Sequence, residues 1–179
     1  MVAFKYLTQI SLAASVLAGN APIVADSPTD AKYIAKFDKS VQGSVEFSAP
    51  NGTVFVAVNL KDFPGEGPWT YHVHAHVVPT DGNCTGTLGH LNPYNGAANG
   101  TTAAAKEVGD LAGKHGSIEG TSINTTYYDP YLSLDPSDPA FLGNLSVTLH
   151  LKKDNSRIAC ANITRVEDST SSTGSSSSN

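Results

Sequence analysis

The chain has 179 residues, a one-domain length sufficient to bury a core of its own. Its 11 Lys+Arg against 16 Asp+Glu give a formal charge of −5, which excludes nucleic acid and an anionic membrane surface as partners. Six histidines beside one Trp, one Met and only two cysteines point instead to a metal.

In chain order, residues 1–18 carry a single charge at Lys5 and then the small, apolar run Ile10–Ala18. This is the pattern of a secretory signal peptide, cleaved between about residues 18 and 25. The run is too short to span a bilayer, so no membrane insertion of the mature body is expected. Cleavage removes one lysine and no acid, making the chain more negative still. Export places the protein in an oxidising compartment, where Cys84 and Cys160 are expected to pair. Six glycosylation sequons, at Asn51, Asn83, Asn99, Asn124, Asn144 and Asn162, agree with secretion. Residues 22–31 read as a polar lead-in, residues 32–167 as the folded body, and residues 168–179 as a disordered, O-glycosylated Ser/Thr-rich tail.

The body reads as all-β. Val54, Val56, Val58 and Leu60 alternate along one strand, and Leu145, Val147, Leu149 and Leu151 along another. Val41–Phe47, Trp69–Val77, Ser122–Tyr128 and Arg157–Val166 complete the expected strands. Long Gly/Pro/Asn-rich loops, Pro79–Gly116 and Asp129–Gly143, lie between them, and no long helical pattern intervenes. The composition of elements predicts an antiparallel sandwich or flattened barrel.

Side chains alternate along a strand, which fixes where the histidines face. With Leu145, Val147, Leu149 and Leu151 inward, His150 points out of the barrel. With Tyr71, Val73, Ala75 and Val77 inward, His72, His74 and His76 share the outer face. His72, His74 and His150 therefore converge on the outer wall, roofed by the loop carrying His90 and reachable by a small solute. An imidazole set of this spacing suits zinc. Four imidazoles without thiolate or carboxylate suit copper better, because Cu(II) accepts tetragonal nitrogen sets and N-donor sites bind it tightly. His76 is expected at the rim and His115 in an ordinary loop. A zinc-dependent hydrolase using three of the histidines, and a non-enzymatic secreted copper-binding or surface module, are the rival readings.

Several segments resemble the copper/zinc superoxide dismutase family. His72-Val73-His74 matches its copper His-x-His, and Gly89-His90-Leu91-Asn92-Pro93 its segment with the histidine that bridges copper and zinc. Val108-Gly109-Asp110-Leu111 and Leu132-Ser133-Leu134 are similar to further family segments. His150 falls at the fourth copper ligand, and Arg157-x-x-Cys160 at the active-site arginine and disulfide cysteine. The resemblance runs from about Lys39 to Val166. No histidine lies between His90 and Glu107, Glu107 stands where a zinc histidine would be, and of the zinc set only Asp110 remains. His150 and Arg157 are separated by too few residues for the family's long electrostatic loop. Both departures resemble the copper-only superoxide dismutases of fungal cell surfaces.

The resemblance implies an eight-stranded antiparallel Greek-key barrel, one copper held by His72, His74, His90 and His150, no zinc, and a Cys84–Cys160 disulfide. It implies an extracellular or cell-wall enzyme, a monomer, that converts superoxide to O₂ and H₂O₂. Arg157, with help from Lys152 and Lys153, attracts the anion. His90 takes up a proton, and Glu107 replaces zinc as the partner of its far nitrogen. Asp110 is expected to accept backbone hydrogen bonds around Gly109 and Gly113.

Overall fold

The computed structural model describes residues 19–167. The signal peptide and the Ser/Thr-rich tail lie outside the described residues. Seven strands form one antiparallel sheet: β1 Lys32–Asp38, β2 Gln42–Ser48, β3 Val54–Lys61, β4 Trp69–His74, β5 Ser122–Asp129, β6 Ser146–Leu151 and β7 Ser156–Arg165. Their order is β4-β6-β7-β1-β2-β3-β5, so β3 crosses to β4, and β5 and β6 return beside β3 and β4 in Greek-key fashion.

The alternation read from sequence sets the core. In β3, Val54, Val56, Val58 and Leu60 are buried, while Asn59 and Lys61 face solvent. They meet Phe47, Val73, Val147, Leu149 and Ile163 from the other strands, and Leu132, Leu134 and Leu142 from the loop before β6. β6 departs from the pattern. Ser146, Thr148 and His150 point away from this core yet are as buried as Val147 and Leu149. Loop residues cover the outer face there, so the site sits beneath a roof and not on an open wall.

Among the described residues no eighth strand is formed. β4 and β5 are the sheet's edges, and between them the chain makes a single antiparallel bridge, Trp69↔Ile118, through two 2.8 Å backbone hydrogen bonds. The cause lies in the sequence: Gly116 (φ 106°) and Gly120 (φ 72°) turn the chain on either side of Ser117-Ile118-Glu119. Three residues between two left-handed glycines cannot extend a ladder.

Two further segments differ from expectation. β1 was not anticipated, although Tyr33, Ala35 and Phe37 alternate inward along it. The lead-in before it packs on the body: Ala21, Val24 and Ser27 are buried, and Ala21 N, Val24 N and Ser27 N donate to Ala104 O, Pro130 O and Gly52 O. Those inward positions recur every third residue, a period that matches neither the strand nor the helix template.

Candidate metal centre

β4 places His72 and His74 on its outer face and ends there, short of the expected Val77, because the chain leaves the sheet to meet the roof. The roof is stitched on by backbone bonds. Val73 N donates to Gly109 O, Leu91 N to Val73 O, Gly109 N to Leu91 O, and Ala75 N to Gly89 O, all at 2.7–2.9 Å. Gly109 is required here, since a Cβ would overlap the Val73 carbonyl. These bonds bring His90 over β4, where it bridges His74. His150 arrives from β6 at an irregularity in its ladder with β7.

Four rings thus gather, with His72–His90 centroids 4.1 Å apart and His72–His150 4.9 Å. Each offers one nitrogen, and these nitrogens lie within 4.8 Å of one another. His72, His74 and His150 are buried and His90 is half-buried.

The second nitrogen of each ring faces an oxygen. His74 Nδ1 lies 2.8 Å from Leu88 O, and His150 Nδ1 3.1 Å from Asn155 O. His90 Nδ1 is 2.5 Å from Glu107 Oε2, and His72 Nε2 3.5 Å from Asp110 Oδ1. A carbonyl or carboxylate accepts only, so the ring nitrogen opposite it carries the proton. The inward nitrogens are therefore lone pairs. His74 Nε2 and His150 Nε2 meet at 3.1 Å with no proton between them, and buried His72 Nδ1 has no partner at all. Converging lone pairs repel unless a cation lies among them, so the donor set fits a nitrogen-coordinated metal.

Electrostatics agree. Burial, and then the charges of His90 and the neighbouring rings, push His72 from 6.5 to about 2. Burial and His90 push His74 to about 3, against the pull of the Leu88 carbonyl. Burial likewise lowers His150. The three stay neutral, as metal ligands must.

The site's supports follow from the turn Cys84–Thr87. Asn83 caps it by accepting from Thr85 N at 3.0 Å, and the Cys84–Cys160 disulfide fastens it to β7. Arg157 of β7 donates to Cys84 O, Thr85 O, Thr87 Oγ1 and Leu88 O. Thr87 Oγ1 also lies 3.1 Å from His74 Nδ1. The guanidinium is therefore fixed, and a cavity of about 210 Å³ opens beside it, lined by His74, Leu88, His90, Glu107, His150 and Arg157. Lys152 and Lys153 do not line that opening; Lys152 Nζ binds Ser117 Oγ at 3.1 Å.

Glu107 Oε2 sits on His90 Nδ1, with Asn92 Nδ2 on its other oxygen at 3.3 Å. Asp110 accepts from Gly113 N at 2.7 Å, capping the helix α1 Leu111–His115, and also faces His72. His76 is exposed and outside the cluster. His115 is not an ordinary loop residue: it stacks on Tyr127 at 3.8 Å and its Nε2 lies 2.9 Å from Asp129 Oδ2. Thr87 and the carbonyls of Leu88 and Asn155 had no signal in the sequence, and Asn92 only its place in the segment around His90.

A curled seven-stranded antiparallel sheet with a roofed cluster of four histidines, a fixed arginine at its mouth and a disulfide behind it defines a metalloprotein of the superoxide dismutase class. The family profile of copper/zinc superoxide dismutase (SODC) matches residues 41–176, and the chain belongs to that family. It is 46% identical over 170 residues to cell surface Cu-only superoxide dismutase 5 of Candida albicans, covering 92% of this chain and 74% of that protein. Cell surface superoxide dismutase (Cu-Zn) 4 of the same organism is 44% identical, with 92% and 73% covered. The solved structure of C. albicans superoxide dismutase 5 with Cu(II) superposes with a TM-score of 0.74 at 43% identity, covering 83% of this chain and 99% of that one.

Proposed function

We propose that the chain is an exported, cell-surface superoxide dismutase that works with one copper ion and no zinc. The carrying observation is the set of inward nitrogens, unpartnered His72 Nδ1 and the Nε2 atoms of His74, His90 and His150, the last three fixed by an oxygen hydrogen-bonded to the ring's other nitrogen. Bound copper, alternating between Cu(II) and Cu(I), supplies the one-electron chemistry that turns two superoxide ions and two protons into O₂ and H₂O₂. Zinc finds no donor set beside it, because Glu107 is engaged by His90 and Asn92, and Asp110 by Gly113.

His90 is the most open ring of the four and the one held by a loop, so it is the ring that takes up a proton at Nε2. Glu107 keeps Nδ1 protonated and the ring oriented throughout. Arg157 presents fixed positive charge at the mouth of a negative protein and draws in the anion.

The secreted reading rests on the apolar stretch of residues 1–18, the Cys84–Cys160 disulfide, and the sequons. Asn51, Asn83, Asn99, Asn124, Asn144 and Asn162 are all exposed. Metal analysis and a superoxide-consumption assay on the purified, copper-loaded protein test the function. One copper with fast consumption is the expected result. Stoichiometric zinc without a copper EPR signal would establish a zinc hydrolase instead, and bound copper without consumption a binding module.

A further inference from the structure

We infer that Lys114 is a positioning residue for the metal centre: its buried ammonium joins Asp129 of β5 to the Val108 carbonyl, and so holds the segment carrying both Glu107 and Asp110. The inference rests on the copper-site reading above.

Lys114 stands in α1, a helix of five residues, too short to hold itself together. Its Nζ lies 2.6 Å from Asp129 Oδ2 and donates to Val108 O at 2.7 Å. Neither the Lys114 nor the Asp129 side chain has exposed area. Asp129 is anchored as the last residue of β5, paired with Val54 of β3. Its carboxylate also faces His115 Nε2 and accepts from Tyr131 N, each at 2.9 Å. Burial raises the Asp129 pKa, but donors from His115 and Lys114 outweigh it and hold the carboxyl below its ordinary range.

From that post Lys114 reaches the peptide between the two carboxylates. Glu107 precedes Val108 and meets His90; Asp110 follows Gly109 and faces His72. On the opposite side the same segment is bonded to β4 and the His90 loop through Gly109. Val108 is buried, so without Lys114 its carbonyl would lose its partner and the segment its tie to β5. An ion pair with no access to water is costly to bury, and apolar residues of similar volume usually serve stability as well. Orientation of Glu107 and Asp110 is a task that apolar residues would not perform.

The test compares wild type with Lys114→Met and with Lys114→Met/Asp129→Asn. The double variant removes both charges together, so it keeps the question answerable if the single variant does not fold. Each is checked by circular dichroism, then for copper affinity by chelator competition, for the Cu(II) EPR spectrum, and for amide exchange in the copper-free protein. The expected result is folded protein, roughly tenfold weaker copper binding, a shifted spectrum, and faster exchange confined to Val108–Leu111. In a Glu107→Gln/Asp110→Asn background the same change at Lys114 should cost no further affinity. Unchanged affinity, spectrum and exchange with only a lower melting temperature would overturn the inference, as would an equal loss in both backgrounds. If the wild-type protein consumes no superoxide, the functional reading fails, while exchange and copper affinity still decide the role of Lys114.

Discussion

At the residue scale the site is a problem of protons. Each imidazole has one nitrogen assigned by an oxygen, and the assignment aims four lone pairs at one volume. The free rings refuse protons: His72 falls to about 2 and His74 to about 3, against 6.5 in an unfolded chain. Below about pH 6.5 the unfolded chain therefore binds protons that the folded copper-free chain does not, and stability falls as pH drops from there towards about 3. Urea midpoints of the copper-free protein should decline steadily across that window; a flat profile from pH 7 to pH 4 would contradict the buried lone pairs. Glu107→Ala should leave the fold intact and reduce copper affinity or superoxide consumption about 10- to 100-fold, as loss of a ligand's hydrogen-bond partner does elsewhere. The four clustered histidines and Glu107 could be singled out in the sequence because histidine and glutamate carry their chemistry in the side chain. Leu88 and Asn155 were not, because what they contribute is a carbonyl, and every residue has one. His115 was misread for a related reason: its partner Asp129 is brought to it only by the end of β5.

At the element scale, β3 and β6 were legible from alternating apolar residues, since a half-buried strand selects them at every second position, and β2, β5 and β7 from the segments left between the turn-rich loops. β4 was legible only in part. The apolar alternation continues through Ala75 and Val77, but the pairing stops at His74, where Ala75 N bonds to the roof. The missing eighth strand has the same lesson, since its glycines carried the information and its family likeness argued otherwise. The N-terminal strap escaped because its period is three. Val24→Ala should cost about 1.6 kcal/mol in chemical denaturation, the value of two buried methylene equivalents, although the residue lies outside every strand. No loss of stability would show that the strap is not bound in solution. The disulfide closes a separation of 76 residues. Cys84→Ser/Cys160→Ser should lower stability by about 4 kcal/mol. It should also slow catalysis, because the turn whose oxygens hold Arg157 loses its covalent tie to β7 and keeps only those hydrogen bonds.

At the scale of the whole molecule the charge of −5 opposes the approach of superoxide, and the turn between β6 and β7 is too short to carry a guiding loop. The guanidinium of Arg157, held by four acceptors at the rim of a cavity of about 210 Å³, is the local exception. Steering of this kind weakens as salt shortens the reach of charge to about 8–10 Å. Arg157→Ala should lower kcat/KM about tenfold at low ionic strength and flatten its dependence on salt. Stopped-flow consumption at several salt concentrations measures both, and an unaltered salt slope in the variant would rule out steering by this residue.

The covered outer face of β6 also constrains when sugar can be added. The sequon at Asn144 ends in Ser146, whose hydroxyl is fully buried and donates to His76 O at 2.6 Å. A transferase that must grip both the amide and the hydroxyl finds only the amide once β6 has docked. Oligosaccharide at Asn144 is then a timestamp: its occupancy records how long the nascent chain lingered before the barrel closed.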